Sequence, residues 1–226
     1  MPKVYASINR PPRDLVAHVR GLRLDQIVKA LPVTQLMDSA IKPLGLRNVR
    51  IVGPAVTVAS VGPDPMLGMI ATGVAQPGDV IVVAAGGNEA GFAWGGGLTL
   101  SAANVGCAGV VVDGVVIDAD SIVEQDTPVF CRGSTLRSTP IEVRGSINVA
   151  VTCGGVLIEP GDLIVGTLDG VCVIPRADIE ELVATVGPES ARINANIETL
   201  IATKQTIFDL RGGRSLADDL GLEWVD

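Results

Sequence analysis

The segment PGDVIVV, residues 77–83, decides the fold class because it joins a tight turn to an apolar strand. Turns favour proline, glycine and aspartate, and the β-branched run that follows is typical of a buried strand. The segment PGDLIVG, residues 160–166, repeats this arrangement. The two segments therefore predict two buried strands, related either by duplication or by independent use of the same turn residues.

Further strands and helices are predicted on both sides of these segments. Residues 49–58 form a β-branched stretch that a Gly-Pro pair interrupts, and residues 110–114 indicate a strand that ends in a turn. Together with the helical spacing of apolar residues elsewhere, these strands predict an α/β fold. One predicted helix begins after Pro11 and Pro12. Four others cover the ranges 33–41, 97–106, 178–186 and 189–204.

Length and composition predict one domain with a helical extension. Of the 226 residues, 47% are hydrophobic but only 3% are aromatic, so the core is expected to consist of Val, Ile, Leu and Ala. We expect residues 1–226 to form a single domain in which residues 176–226 are a C-terminal helical extension. Residues 209–226 are too polar to form a core of their own, so we expect them to pack against the body or a neighbouring subunit.

Charge and hydropathy argue against two classes of partner. The formal net charge is −8 without a basic cluster, whereas nucleic-acid binding requires positive charge that neutralises phosphates. The apolar runs are shorter than the roughly 20 residues that a membrane span needs. The first residues also lack the apolar segment of a signal peptide. We therefore expect a cytoplasmic protein that binds neither nucleic acid nor membrane.

Cysteine and histidine usage limits the possible chemistry. The cysteines are widely spaced inside or beside apolar runs, none forms a C-x-x-C pair, and His18 is predicted to lie on the surface. Neither a zinc site nor histidine-based acid–base catalysis is expected. Four reduced core cysteines are predicted: Cys107, Cys131, Cys153 and Cys172.

Two segments have residues suited to binding or catalysis. The first, GGNEAGFAWGGGL at residues 86–98, can direct backbone N–H groups toward an anion where a helix begins, although such glycines also serve turns with close backbone packing. The second contains Asp113, Asp118 and Asp120, which follow or end a predicted strand. Asp118 and Asp120 are suited to a hard cation such as Mg²⁺, and turn capping is the alternative for both.

A set of short motifs in a fixed order resembles the RraA-like family, which includes 4-hydroxy-4-methyl-2-oxoglutarate and 4-carboxy-4-hydroxy-2-oxoadipate aldolases. The resemblance covers roughly residues 30–180 and implies the swivelling β/β/α fold, a homotrimer or hexamer, and an active site between subunits. The motifs are GPAVTV (53–58), PGDV (77–80), WGG (94–96), DG (113–114), PVF (128–130), PGD (160–162), DGV (169–171) and Pro175.

The same resemblance assigns expected roles to individual residues. In the aldolases, twenty residues separate a glycine from an Arg-Asp pair, and counting from Gly96 places Ile117 and Asp118 at that pair. Asp118 is thereby implied to hold Mg²⁺ or Mn²⁺, largely alongside water. The residues implied to contact the substrate carboxylate through their backbone are Gly95, Gly96, Gly97 and Leu98.

This sequence departs from the aldolase pattern at two positions. Ile117 replaces the arginine, which removes a charge and several hydrogen-bond donors beside the developing enolate, at an expected cost of several kcal/mol. Ser121 stands where the family tends to have an acid. Arg132, Arg137 and Arg144 are the arginines in the following segment that are candidates to substitute.

The leading functional hypothesis is a metal-dependent lyase that acts on a small 2-oxo acid, by retro-aldol cleavage or oxaloacetate decarboxylation. Asp118 would hold the metal, and an acid from the C-terminal region of a neighbouring subunit, with Glu198 as the candidate, would assist. The alternative is a non-catalytic binding protein like the family's regulators of ribonuclease E. Ile117 favours the binding protein, whereas the glycine loop and Asp118 favour the enzyme.

Overall fold

The computed structural model describes residues 2–45, 49–139 and 141–225. The strands are β1 (Lys42–Pro43), β2 (Arg50–Ser60), β3 (Val80–Trp94), β4 (Gly109–Val116), β5 (Val129–Cys131), β6 (Gly133–Ser134), β7 (Gly145–Ile147), β8 (Val151–Cys153), β9 (Val156–Ile158), β10 (Leu163–Thr167) and β11 (Gly170–Ile174). The α-helices are α1 (Arg13–Gly21), α2 (Leu24–Ala30), α3 (Pro65–Thr72), α4 (Gly96–Val105), α5 (Ala119–Val123), α6 (Ile179–Thr203), α7 (Ile207–Leu210) and α8 (Gly213–Asp219).

A mixed sheet with the strand order β1-β5-β4-β3-β2-β10-β11 forms the centre of the molecule. Strands β2 to β5 are parallel, whereas β10, β11 and β1 extend the sheet in antiparallel fashion. The two ends of this order approach one another, because Lys42 Nζ donates to the Asp169 carbonyl at 2.5 Å. The sheet is therefore nearly closed, and the predicted α/β class is confirmed.

Both Pro-Gly-Asp turns lead into strands, as predicted, and both strands pair with β2, one on each side. Gly78 and Gly161 have the same φ of 93°, a left-handed conformation that favours glycine. The Asp79 carboxylate accepts the Gln76 amide at 2.7 Å, and the Asp162 carboxylate accepts the Glu159 amide at 2.8 Å. The repeated sequence therefore produces a repeated turn.

Aliphatic side chains fill the core on both faces of the sheet. One face packs against α3 and α4, the other against the β8–β9 hairpin, and a third cluster joins β10 and β11 to α1, α2 and α6. The four cysteines are buried and free, as predicted. Burial raises the thiol pKa of Cys107 and Cys172 to about 12 and of Cys131 to about 11, and it raises that of Cys153 as well.

The prediction of a helix over residues 33–41 is wrong. Only Val33–Gln35 form a turn of 3₁₀-helix, and the chain then runs extended beside β11, where Met37 N donates to the Val171 carbonyl at 2.9 Å. The second helix is instead Leu24–Ala30. Pairing with β11 satisfies the backbone of this segment, so tertiary contacts override its helical spacing.

Three further boundaries differ from the predictions. Strand β2 continues through the Gly-Pro pair, and β4 continues to Val116, so Asp113 lies inside a strand and not in a turn. The two C-terminal stretches are one 25-residue helix, α6, with Pro188 inside it. Beyond α6, Phe208 and Trp224 stack edge to face at 6.0 Å, so the tail has a small cluster of its own.

Among the described residues, no helix is both long and apolar enough to span a bilayer.

Candidate functional site

The turn from β3 into α4 places the predicted substrate-binding residues at the carboxyl end of the parallel strands. The first N–H groups of a helix have no partner within the helix itself. Gly95, the residue before α4, has no side chain that could cap them. Trp94 is fully buried, and its Nε1 donates to Thr99 Oγ1 at 2.9 Å, which in turn donates to the Gly95 carbonyl at 3.1 Å. These contacts fix the start of the helix.

The end of β4 places Ile117 and Asp118 beside that turn. The Ile117 amide donates to the Trp94 carbonyl at 3.0 Å, which joins the two strand ends. Asp118 then adopts a left-handed conformation, with φ 60° and ψ 45°, and leads into α5. Aspartate tolerates this conformation better than most residues, and an isolated non-glycine residue here commonly marks a tight functional turn.

The two turns are in van der Waals contact through the glycines. A Cβ atom on Gly95 would lie 3.0 Å from Ile117 Cγ2 and 3.7 Å from Asp118 Oδ2. A Cβ atom on Gly96 would lie 2.7 Å from Ser121 Oγ and 3.2 Å from Asp118 Cβ. The structure therefore brings Ile117 and Asp118 against the glycine turn, and glycine is required there because a side chain would separate them.

The Asp118 carboxylate is not used by the fold. The side chain is exposed, does not cap α5, and accepts no hydrogen bond from residues 2–45, 49–139 or 141–225. No cluster of three or more His, Cys, Asp or Glu side chains suited to a metal exists within those ranges. A single free carboxylate beside solvent fits Mg²⁺ or Mn²⁺ held mainly by water, because Mg²⁺ commonly takes only one or two carboxylates.

Asp113, by contrast, is a structural residue. Its side chain is 6% exposed, Oδ1 accepts Arg132 Nε at 2.7 Å, and Oδ2 accepts the Gly154 amide at 2.9 Å. Arg132 also binds Asp38 at 2.8 Å, and the Ala40 amide together with Arg132 lowers the pKa of Asp38. Arg132 is therefore engaged by two carboxylates.

The other residues singled out from the sequence lie apart from the glycine turn or remain solvent-exposed. Arg144 pairs with Glu142 at 3.2 Å, and Arg137 is exposed. Asp120 is exposed on α5, and Glu198 is exposed on α6, which packs against α1 and α2. Within one protomer, the described contacts do not join Glu198 to Asp118.

Only the last part of the predicted glycine loop begins a helix. Residues 86–94 belong to β3, whose pairing with β4 is interrupted by register shifts, and Gly86 and Gly87 have φ values of 67° and 69°. The sequence pattern does not single out Gln125, whose Nε2 donates to the Gly96 carbonyl at 3.2 Å. The helical spacing of Asp118, Ser121 and Gln125 would have placed all three on one face.

Comparisons with known proteins identify a family to which this chain is similar. The RraA-like family model, described as Aldolase/RraA, matches residues 25–173. A protein of Halalkalibacterium halodurans named "Putative 4-hydroxy-4-methyl-2-oxoglutarate aldolase" is 40% identical over 169 residues, which are 75% of this chain and 80% of that protein.

Two solved structures share the fold. RraAS2 of Streptomyces coelicolor, described as an unusual member of the RNase ES inhibitor RraA protein family, has a TM-score of 0.73 and 27% identity, covering 84% of this chain and 98% of its own. An uncharacterized protein from Pseudomonas syringae has a TM-score of 0.72 and 24% identity, covering 90% of this chain and all of its own. The fold inferred from the motifs is thus confirmed.

Proposed function

Because this chain belongs to the RraA-like family, we propose that it is a metal-dependent lyase that acts on a small 2-oxo acid. The reaction is retro-aldol cleavage of a 4-hydroxy-2-oxo acid or decarboxylation of oxaloacetate. The observation that carries the proposal is the free carboxylate of Asp118 beside the Gly95–Gly96 backbone. A carboxylate left exposed and unpaired in a left-handed turn is better suited to a ligand than to fold stability.

The glycine turn is suited to orient the substrate. The unpaired first-turn amides of α4, with Gly97 exposed, can donate to the substrate carboxylate, and the positive end of the helix favours that anion. The carboxylate contacts are assigned to Gly95, Gly96, Gly97 and Leu98.

Asp118 is the residue that would hold Mg²⁺ or Mn²⁺, with water as the other ligands. In either reaction the bond between C3 and C4 of the substrate breaks, and its electron pair moves toward the 2-oxo oxygen. The C4 fragment leaves as a carbonyl compound once its hydroxyl group has lost a proton, or as carbon dioxide in decarboxylation. The enolate then takes up a proton at C3 to give pyruvate. When bound, the cation supplies polarisation of the 2-oxo group and stabilises the enolate. Ile117 contacts the same turn but supplies no charge, so slow turnover is expected compared with an aldolase that has arginine there.

A neighbouring subunit is proposed to complete the site. Glu198 is exposed and makes no side-chain hydrogen bond or ion pair with any residue that the structure describes, so it is free to act as an acid in an adjacent protomer. A homotrimer or hexamer is expected, and light scattering of the full chain measures it. Exposed apolar side chains near the C-terminus are suited to such an interface: Ile201, Ile207, Leu216, Leu220, Leu222 and Val225.

Turnover with and without metal tests the proposed activity. The protein is incubated with oxaloacetate, and separately with 4-hydroxy-4-methyl-2-oxoglutarate, in the presence of Mg²⁺ and then of excess chelator. Pyruvate release above the uncatalysed rate that chelator abolishes is the expected result. Release that persists in chelator would contradict the role of the metal.

Replacing Ile117 by arginine tests the site itself. Ile117 is half-buried against Gly95, so an Ile117→Arg side chain can reach solvent while its guanidinium lies beside the turn. A gain in kcat/KM of at least roughly tenfold is expected, because a bidentate donor then faces the enolate. Ile117→Lys is the matched control, with charge but without the planar donor pair. A folded Ile117→Arg variant without any gain would contradict the proposed site.

The second candidate function is a non-catalytic binding protein of the ribonuclease E regulator type. The aliphatic side chain of Ile117 favours it, because isoleucine cannot supply the positive charge of the arginine that the aldolase pattern has at this position. The solved structure of RraAS2, whose description includes RNase ES inhibition, also supports it. Absence of pyruvate release by both the parent and Ile117→Arg, together with inhibition of ribonuclease E cleavage in a purified assay, would favour this alternative.

A further inference from the structure

A cavity of about 290 Å³ lies between the N-terminal segment, α1 and the turn that precedes β3. Its lining contains Arg10, Arg13 and Arg20 but only one carboxylate, that of Asp79. The cavity thus has two more positive than negative charges, in a chain whose formal net charge is −8. Such a local excess in an acidic protein selects for anions.

Asp79 accounts for only one of the three arginines. Arg10 Nε and Nη2 donate to its two carboxylate oxygens at 2.8 and 2.6 Å, and the Asp79 side chain is 1% exposed. The Gln76 amide donates to Asp79 Oδ2 at 2.7 Å. This buried pair fixes Arg10 in the wall of the cavity, and among the described residues Arg13 and Arg20 have no ion-pair partner.

Arg13 and Arg20 have hydrogen-bond donors to spare. They are seven residues apart on α1, a spacing that places both on the same face of a helix. Arg20 donates one hydrogen bond, to the Val52 carbonyl at 3.1 Å, although a guanidinium has five N–H groups. Within the described part of the chain, the Arg13 side chain forms no hydrogen bond or ion pair.

The remainder of the lining is largely apolar and rigid. Pro11, Val16, Pro54 and Pro77 contribute carbon surface between the charged groups. Guanidinium groups bind carboxylate and phosphate oxygens in pairs, and a volume near the lower limit of ligand pockets suits a compact molecule. The geometry points to a binding site for a small dianion with a short carbon skeleton, either a dicarboxylate or a phosphate monoester.

This cavity is separate from the proposed active site. Asp79 immediately precedes β3, whereas Gly95 follows β3 and Asp118 follows β4, so the two sites lie at opposite ends of the parallel strands. Binding in the cavity does not depend on the lyase proposal. The two can therefore be tested independently.

Thermal unfolding with two probes tests the inference. Succinate represents a dicarboxylate and glycerol 3-phosphate a phosphate monoester, each compared with sodium chloride at equal ionic strength. One probe at a hundredfold excess over its Kd should raise the Tm of the full chain by roughly 5–10 °C. The probe with the larger shift identifies the anion chemistry.

Arg13→Gln and the double variant Arg13→Gln/Arg20→Gln should bind that probe at least roughly tenfold more weakly in calorimetry. Arg13 makes no side-chain bond that the fold would lose. Arg192→Gln, which breaks an exposed ion pair with Glu189 on α6, is the charge-matched control and should bind like the parent. Equal shifts in all variants, or none beyond sodium chloride, would overturn the site. A double variant with a changed oligomeric state but unchanged probe binding would also overturn the site, because the arginines would then belong to a subunit interface.

Discussion

Asp113 and Asp118 are five residues apart, one inside β4 and the other just after its end, and their carboxylates are in opposite environments. Asp113 is buried, and both of its oxygens are bound by Arg132 and the Gly154 amide. Asp118 is exposed, and the described residues leave its carboxylate free. The difference shows that proximity in the sequence to the end of a strand does not by itself make a carboxylate a candidate site. What distinguishes Asp118 is that none of the residues that the structure describes binds its carboxylate.

The largest expected effect is on stability, at Asp113. Replacing it in Asp113→Ala leaves the Gly154 amide unsatisfied and Arg132 with only the half-exposed Asp38, at a cost of about 3 kcal/mol of unfolding free energy. Urea denaturation followed by circular dichroism measures it. Asp118→Asn, which removes the charge but keeps a residue that tolerates the left-handed conformation, is the matched control and should differ from the parent by less than about 0.5 kcal/mol. Equal losses in the two variants would erase the comparison.

Gly96 and Gly97 provide a second comparison, because only Gly96 lies against Asp118. The added methyl group of Gly96→Ala would collide with Ser121 Oγ and Asp118 Cβ, so a loss of about 1–3 kcal/mol and lower turnover are expected. Gly97 has no heavy atom within 4 Å of the same position, and Gly97→Ala should be neutral or stabilising by about 0.5–1 kcal/mol. Indistinguishable melting curves for the two variants would show that the turns are not tightly packed.

The smallest expected energy is that of metal binding at Asp118. Asp118→Ala should weaken Mg²⁺ binding at least tenfold, which corresponds to about 1.4 kcal/mol, because water replaces the only carboxylate assigned to the cation. Isothermal titration calorimetry measures the affinity, and Asp120→Ala, on the same short helix, is the control. Unchanged affinity in Asp118→Ala with loss in Asp120→Ala would move the metal assignment two residues along the chain, to Asp120.

The strand starts could be predicted because they depend on local chemistry. Gly78 and Gly161 adopt the left-handed turn that their sequence demands, and the apolar runs after them have no alternative to burial. The failed helix over residues 33–41 shows the limit of that approach. Its spacing is helical, but pairing of Met37 with Val171 satisfies the backbone in another way. A partner 134 residues away along the chain cannot be read from a local pattern.

The candidate site divides in the same way. The sequence by itself predicted that a glycine turn would precede a helix, now α4, and that Asp118 would follow a buried strand, now β4. Only the tertiary structure decided which aspartate is free. The partners of Asp113 are Arg132 and the Gly154 amide, which belong to distant parts of the chain. The same holds for the arginine cavity, whose members come together only when α1 packs beside the turn before β3. The local sequence determines which residues form turns and strands. Burial and charge compensation depend on neighbours that folding brings together from distant parts of the chain.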